Sequence, residues 1–195
     1  MSDLENLTVM SFNSRGFGAD RREYVKTLLS QCSVLFLQEH WLSDGQLPLL
    51  GSLNNNFVYA GVSGFGNDEI LQGRPYGGCA VLWRSDMNVC TQVLSTRINR
   101  ICAIRLSNSV FRLLLVNVYM PYEGGEHMTD EFAEQLKVIE GIIVTNSDCH
   151  VVIGGDFNVD LSRQRVHTTC NEVHLNYVKC IIVYTHITLT LYRLD

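Results

Sequence analysis

Apolar and polar stretches alternate in the first part of the chain in the order expected of a strand, a helix and a second strand. Residues 7–12 form a short run rich in β-branched and aromatic side chains, and residues 34–37 form an uninterrupted apolar run. Runs of this kind are typical of strands. Between them, apolar residues recur at helical spacing over residues 21–32, and Asp20 precedes them in a variant of the capping-box pattern that opens helices. The pattern predicts one β-α-β unit.

Two polar side chains directly follow these predicted strands. Asn13 comes after the first strand, and Glu39 comes after the second. Because parallel strands joined by a helix end at the same edge of a sheet, we expect both side chains at neighbouring carboxyl ends.

The middle of the chain is rich in strand signals. Five runs of β-branched and aromatic residues are separated by polar turns, and they are Phe57–Val62, Cys79–Trp83, Val89–Leu94, Ile101–Leu106 and Phe111–Met120. The short connections between these runs favour antiparallel hairpins over crossover helices.

A second helix and strand follow the hairpins. The helix is predicted to begin near Thr129, where two acidic residues complement the helix dipole. Its buried stripe consists of apolar residues at helical spacing, namely Phe132, Leu136, Ile139 and Ile143. The apolar run 151–153 then leads into the sequence Gly-Gly-Asp156-Phe-Asn158. Helix–strand units on both sides of a strand-rich centre predict an α/β layered sandwich.

The chain shows no internal repeat, low-complexity tract or linker, so residues 1–195 are predicted to form a single domain. The tail, residues 168–195, has no clean periodicity, although residues 179–184 and 187–192 fit short strands. It ends abruptly at Asp195, as a truncated or rearranged gene product would. The last part of the sandwich is therefore expected to be missing.

Composition and charge narrow the class of protein only slightly. Apolar residues make up 46% of the chain and charged residues 18%, as in ordinary globular proteins. The net charge of −5 argues mildly against a nucleic-acid partner, although metal-binding carboxylates also lower the total charge of a nuclease. The seven cysteines form no Cys-x-x-Cys pair, which argues against a zinc ribbon or a disulfide framework.

The start of the chain is polar and acidic, without the basic and apolar blocks of a secretory signal. No apolar run reaches the about 18 residues that a membrane span requires. The sequence therefore predicts an intracellular protein, in the nucleus or the cytoplasm, that is neither secreted nor embedded in a membrane.

Asp156 and Asn158 carry the strongest chemical signal. They are two residues apart after an apolar strand, so in an extended segment they face the same side. A carboxylate beside an amide suits a phosphate site, because the carboxylate handles a proton or a metal-bound water and the amide donates a hydrogen bond. The alternative interpretation is an Asx turn that ends the strand, which is common in clusters of Gly, Asp and Asn.

Glu39 is the second candidate and Asn13 the third. A carboxylate at the mouth of a central strand is costly unless it is paired or binds a cation, and hard divalent metals take oxygen ligands of this kind. Asn13 is placed either to bind the metal or to orient Glu39. The alternatives are a strand-end glutamate exposed to water and a simple turn residue. We expect both residues to converge with Asp156 at one edge of the sandwich.

Four motifs in this order resemble those of the endonuclease/exonuclease/phosphatase superfamily. They are Ser-Phe-Asn13, Leu-Gln-Glu39, Asn-Val-Tyr119-Met-Pro121 and Gly-Gly-Asp156-Phe-Asn158, and the resemblance extends over residues 7–166. The segment 73–83 and the run after Asp156 look most like the endonuclease domain of non-LTR retrotransposons. The resemblance implies a four-layer α/β/β/α sandwich of the DNase I type.

The resemblance also implies a role for each site residue. Glu39, with Asn13 nearby, would hold Mg²⁺, or alternatively Mn²⁺, against a phosphate oxygen. Asp156 would position or deprotonate the attacking water. Asn158 and Tyr119 would bond to the phosphate. Arg15, in the loop after the first strand, would contact the DNA backbone, the alternative being a solvated loop charge.

One motif of the family is absent from the sequence. The family ends its catalytic domain with a Ser-Asp-His motif whose histidine binds the scissile phosphate, and no Ser-Asp-His occurs here. The segment Arg193-Leu-Asp195 resembles the Arg-x-Asp that precedes the motif, where the aspartate orients the histidine. Asp195 would then lack the histidine that it orients. We therefore expect weak or absent nicking of DNA.

The resemblance implies a Mg²⁺-dependent endonuclease that nicks DNA for retrotransposon integration and is naturally fused to a reverse transcriptase. Two alternatives remain open at this stage. One is a phosphatase of the same superfamily that acts on small or lipid phosphoesters. The other is a non-catalytic remnant that folds partly or only binds metal or nucleic acid.

Overall fold

The computed structural model describes residues 6–65, 76–121, 128–158, 180–184 and 188–192. Its strands in chain order are β1 (Asn6–Asn13), β2 (Val34–Gln38), β3 (Phe57–Val62), β4 (Cys79–Arg84), β5 (Cys90–Leu94), β6 (Ile101–Ser107), β7 (Arg112–Tyr119), β8 (His150–Asp156), β9 (Cys180–Tyr184) and β10 (Thr188–Tyr192). The α-helices are α1 (Ala19–Leu29) and α2 (Met128–Thr145), and two short 3₁₀ segments are Asp44–Leu50 and Ser85–Met87. Neither α-helix is long and apolar enough to cross a membrane.

The first sheet has the strand order β10-β1-β2-β4-β3. β1 and β2 pair in parallel, with Asn13 opposite Gln38, and α1 connects them. This is the predicted β-α-β unit. α1 begins and ends two to three residues earlier than the periodicity predicted, at Ala19 and Leu29. The predicted capping by Asp20 is wrong, because Gly18 is the N-cap in an extended conformation and Asp20 lies in the first turn.

The second sheet has the strand order β5-β6-β7-β8-β9. β5, β6 and β7 form the antiparallel hairpins that the short connections predicted. β7 and β8 pair in parallel, with Tyr119 opposite Asp156, and α2 makes the crossover between them. The second β-α-β unit therefore brings Tyr119 and Asp156 to neighbouring strand ends.

Three apolar clusters separate the layers of the fold. One lies between the two sheets and includes Phe36 of β2 and Leu115 of β7. A second packs Val25 and Leu29, one turn apart on α1, against the outer face of the first sheet. The third packs Ile139 and Ile143 of α2 against the outer face of the second sheet. The predicted four-layer α/β/β/α sandwich is confirmed.

Two strands lie in the tail, where sequence reasoning found only short candidates. β9 pairs in parallel with β8, and β10 pairs antiparallel with β1, so each extends one of the two sheets. They start one residue later than predicted and end where predicted. Asp195 lies outside the described residues.

Candidate active site

One amide joins two carboxylates that come from different sheets. Asn13 ends β1 and Glu39 follows β2 in the first sheet, whereas Asp156 ends β8 in the second. The Asn13 Nδ2 group donates to Glu39 Oε1 at 2.7 Å and to Asp156 Oδ2 at 2.6 Å. Residues that are 143 positions apart in the chain thus meet at one rim of the sandwich.

The orientation of Asn13 is fixed by its own loop. Asn13 Oδ1 accepts a hydrogen bond from the backbone N–H of Arg15 at 3.1 Å. The amide oxygen therefore faces the loop, and the NH₂ group faces the carboxylates. Asn13 is thereby placed to orient Glu39, which is one of the two roles predicted from the sequence, and binding of a metal by Asn13 stays a prediction. The Arg15 side chain is exposed at the same rim.

Trp41 belongs to the site, although sequence reasoning missed it. Its indole Nε1 donates to the second oxygen of Glu39, Oε2, at 3.3 Å. Gly16 lies against the indole, since a Cβ at that position would stand 2.8 Å from ring atom Cε3. The signal that would have found Trp41 is its position two residues after Glu39, in the same loop.

The backbone of the site is strained. Six described non-glycine residues have left-handed φ angles, and four of them are site residues: Arg15 (+46°), Glu39 (+52°), Trp41 (+55°) and Asn158 (+50°). Such conformations are uncommon for residues with a Cβ and persist only where surrounding contacts enforce them. The carbonyls of Gly78 and Gly77 supply such contacts by accepting from the N–H groups of Glu39 and Trp41 at 2.8 and 3.2 Å.

Asp156 and Asn158 are held together by a tight turn. The backbone N–H of Asn158 donates to Asp156 Oδ1 at 3.1 Å, and Asn158 Nδ2 donates to the carbonyl of Met120 at 2.8 Å. The first contact is the Asx turn considered as an alternative, so the turn is present at the same residues as the candidate site. Each oxygen of Asp156 accepts one hydrogen bond and keeps a lone pair for a further donor.

Tyr119 stands beside an arginine that sequence reasoning also missed. The guanidinium of Arg100 lies 5.0 Å from the centre of the Tyr119 ring. Burial raises the pKa of the Tyr119 hydroxyl, and the charge of Glu39 raises it further, while Arg100 opposes the shift. The phenol therefore stays protonated at neutral pH and can donate a hydrogen bond. Arg100 also pairs with Glu131 of α2, with Nε 3.4 Å from Oε1.

The carboxylates of this site fit a hard divalent cation. Neither Glu39 nor Asp156 forms an ion pair with a described residue. Both carboxylates accept a hydrogen bond from the same amide, that of Asn13. Within the described ranges no group of three or more His, Cys, Asp or Glu side chains could enclose a metal. Mg²⁺ suits this arrangement, because it is commonly bound through one or two carboxylates while water and substrate phosphates complete its shell.

Comparison with known protein families identifies one family. The model of the endonuclease/exonuclease/phosphatase family matches residues 10–189, which extends beyond residue 166 into the tail. No curated protein matches the chain significantly.

Solved structures share the fold at low sequence identity. An AP endonuclease from Leishmania major aligns with a TM-score of 0.62 and 14% identity over 80% of this chain and 56% of that protein. TDP2 from D. rerio, in a complex with a single-strand DNA product, aligns with a TM-score of 0.60 and 18% identity over 85% of this chain and 65% of that protein. The endonuclease domain of TRAS1, a telomere-specific non-LTR retrotransposon, aligns with a TM-score of 0.57 and 13% identity over 86% of this chain and 72% of that domain. The chain thus spans less than two thirds of the first two proteins.

Proposed function

The chain belongs to the endonuclease/exonuclease/phosphatase family, and on that premise we propose that it is a Mg²⁺-dependent phosphodiesterase that nicks DNA. The observation that carries the proposal is the Asn13 amide that bridges Glu39 and Asp156 across the two sheets. It gathers at one rim two carboxylates that form no ion pair with a described residue, and a cation and a phosphate would both be attracted there.

Glu39 is the proposed metal ligand. Its two oxygens are oriented by Asn13 and Trp41, so that the carboxylate keeps one geometry. Mg²⁺, or alternatively Mn²⁺, would neutralise the charge that develops on the phosphate in the transition state. Asn13 contributes by holding Glu39 and Asp156 at a fixed separation, which costs no reorganisation during the reaction.

Asp156 is the proposed base for the attacking water. Hydrogen bonds from Asn158 and Asn13 orient its two oxygens, and the remaining lone pairs are available to a water molecule. The protonated hydroxyl of Tyr119 and the second amide hydrogen of Asn158 would donate to the phosphate. Arg15 at the rim and Arg100 beside Tyr119 would add positive charge where the DNA backbone approaches.

The proposed substrate is DNA, and the proposed context is a non-LTR retrotransposon. The segment 73–83, whose first three residues lie outside the described ranges, carried the likeness to retrotransposon endonucleases, and the TRAS1 domain shares the fold. A reverse transcriptase encoded in the same polyprotein and an intracellular site of action, in the nucleus or the cytoplasm, belong to this proposal. Asp195 would orient a catalytic histidine, but the 195-residue sequence contains no Ser-Asp-His.

The proposal is tested by incubating the 195-residue protein with supercoiled plasmid and Mg²⁺ and measuring open circles over hours. Without the Ser-Asp-His histidine we expect nicking several orders of magnitude slower than that of an enzyme with the full motif. Whatever nicking remains should be lost with EDTA and in Glu39→Ala. Asp86→Ala is the matched control, because this exposed carboxylate pairs with Arg84 at the opposite end of the first sheet.

Thermal unfolding gives a second readout that does not depend on turnover. Mg²⁺ should raise the Tm of the wild type and of Asp86→Ala, but not that of Glu39→Ala, because a ligand that binds only the folded state stabilises it. Nicking that survives Glu39→Ala, or a Tm that Mg²⁺ leaves unchanged in the wild type, would contradict the proposal. Rapid nicking that depends on Glu39 would instead contradict the need for the absent histidine.

The family also includes phosphatases, so a phosphatase that acts on small or lipid phosphoesters is the second candidate function. Incubating the same protein with a small soluble phosphoester, in parallel with plasmid DNA, distinguishes the two activities. Release of inorganic phosphate without strand cleavage would favour a phosphatase. A Glu39-dependent Tm shift with neither activity would favour the non-catalytic remnant.

A further inference from the structure

Two buried amide side chains connect the sheets directly beneath the site. Gln38 is the last residue of β2 in the first sheet, and Asn117 lies on β7 in the second. Both are completely buried, and Gln38 Nε2 donates to Asn117 Oδ1 at 2.6 Å. The surrounding interior between the sheets is mainly apolar, so this contact adds a directional link to packing that is largely non-directional.

Asn117 also enters the hydrogen-bonding pattern of the opposite sheet. Its Nδ2 group donates to the backbone carbonyl of Leu37 on β2 at 2.9 Å and to that of Ala80 on β4 at 2.8 Å. Gln38 Nε2 in turn donates to Ser11 Oγ on β1 at 3.2 Å. One amide from the second sheet is therefore tied to three strands of the first, and a buried network whose members are satisfied in this way is rigid.

Each member of this network is a close chain neighbour of a site residue. Gln38 immediately precedes Glu39, and Ser11 lies two residues before Asn13. Asn117 lies two residues before Tyr119. In the parallel register of β7 and β8, Asn117 is opposite Gly154, which lies two residues before Asp156. A shift of one sheet against the other would therefore move Glu39 relative to Asp156.

We propose that Gln38 and Asn117 form a positioning pair that sets the separation of Glu39 and Asp156 across the two sheets and thereby determines the affinity for a divalent cation. This inference rests on the function proposed above. A cation on Glu39 is also attracted by the carboxylate of Asp156 in the other sheet, so the spacing of these two groups must be correct within a fraction of an ångström. Apolar packing tolerates small slides that a hydrogen-bonded amide pair does not.

The experiment must separate positioning from stability. Replacing both partners of a buried hydrogen bond by apolar groups of similar shape can leave stability nearly unchanged, whereas removing one partner leaves the other unsatisfied. The informative variant is therefore the double substitution Gln38→Met with Asn117→Leu. It retains an apolar contact between β2 and β7 and removes the directional link.

The measurement is a titration with Mn²⁺ or Mg²⁺ by isothermal calorimetry, with the Tm of each variant determined in EDTA. We expect the double variant to melt within a few degrees of the wild type and to bind the cation about tenfold or more weakly, the range found when groups that support a metal ligand are lost. Gln38→Asn, which keeps an amide but withdraws it from Asn117, should show the same loss of affinity and covers the case in which the double variant does not fold.

Leu113→Ala is the matched control. Leu113 belongs to the same core between the sheets but lies opposite His150, at the end of β8 away from Asp156. It should lower the Tm and leave cation affinity unchanged. Wild-type affinity in the double variant or in Gln38→Asn would overturn the positioning role and leave the proposed function standing. An equal loss of affinity in Leu113→Ala would have the same consequence. A wild type that binds neither cation overturns the proposed function and this inference together.

Discussion

At the scale of single residues, the site is assembled from backbone conformations that most side chains avoid. Glu39 and Asn158 both carry candidate site side chains on left-handed backbone, and neither is glycine. Each such residue costs on the order of 1 kcal/mol or more and is retained where the neighbouring contacts over-determine it. The position of Glu39 is enforced by Gly78, whose carbonyl accepts its N–H and whose missing Cβ leaves space for the His40 ring.

Gly155 is a position at which the backbone conformation and a close neighbour both require glycine. Its φ of +140° is unfavourable for any residue with a Cβ, and an added methyl group would overlap the carbonyl oxygen of Val118 on β7. We expect Gly155→Ala to lower the free energy of unfolding by about 2 kcal/mol or more, as incompatible backbone sites do. Urea denaturation followed by circular dichroism measures the change.

Gly141 supplies the control for that substitution. It lies on α2, and a Cβ there would meet no atom within 4 Å. Gly141→Ala should therefore stabilise the protein by roughly 0.5–1 kcal/mol, because alanine favours helices over glycine. Equal effects of the two substitutions would mean that the close approach of β8 to β7 is not what requires glycine at position 155.

At the scale of elements, the site lies where two β-α-β units end. β1 and β2 deliver Asn13 and Glu39, and β7 and β8 deliver Tyr119 and Asp156, in both cases through a parallel pair. The turn between β5 and β6 adds Arg100, whose carbonyl accepts the N–H of Tyr119 at 2.8 Å. The turn is thereby attached to the strand end that carries the candidate phosphate-binding hydroxyl.

Arg100 should contribute to binding of the DNA backbone. We expect Arg100→Met to weaken binding of a labelled oligonucleotide about fivefold to tenfold. The slope of log Kd against the logarithm of the salt concentration should decrease by about one. Fluorescence anisotropy at several salt concentrations measures both quantities. Arg84→Met is the control, because Arg84 pairs with Asp86 at the other end of the first sheet. A loss of the same size in both variants would indicate that only net charge matters.

At the scale of the whole molecule, the two sheets enclose an interior from which water is excluded. Cys102 of β6 lies in this interior and donates its thiol hydrogen to the carbonyl of Ala60 on β3 in the opposite sheet, with Sγ 3.4 Å from the oxygen. Burial raises the pKa of the Cys102 thiol to about 12. Cys90, on the edge strand β5, is exposed.

The two thiols should therefore report on separation of the sheets. At pH 8 a pKa of about 12 leaves about one thiolate in ten thousand, so iodoacetamide should modify Cys90 quickly and Cys102 only as fast as the protein unfolds. Peptide mapping by mass spectrometry assigns each site. Equal labelling of Cys102 and Cys90 in the folded protein would show that the interior opens without unfolding.

The same thiol makes stability fall at high pH. The folded pKa of Cys102 lies above its ordinary value of 9.0, so the unfolded chain loses this proton first. The free energy of unfolding of the wild type should decrease between about pH 9 and about pH 12. The free energy of unfolding of the Cys102→Ala variant should decrease less steeply over that interval.

The sequence by itself determined most of the elements and singled out three candidate site residues. Periodicity located α1, α2 and most strands to within a few residues, because a helical stripe and a β-branched run are local patterns. Asn13, Glu39 and Asp156 were identified because each follows an apolar strand, and a strand end is visible in the sequence. The error at Asp20 arose because α1 begins at Ala19, after the extended Gly18, so that Asp20 lies within the first turn.

Only the tertiary structure decided which of these groups touch. The bridge that the Asn13 amide forms between two carboxylates depends on how the two sheets stack. The stacking is fixed by side-chain packing between residues far apart in the chain. Arg100 reaches Tyr119 from a turn, and Asn117 reaches Gln38 from the interior of a strand, so neither stands at a recognisable strand end. The physical reason is that sequence periodicity specifies the face on which a side chain lies, whereas its partner across the interface is specified by the packing of the whole core.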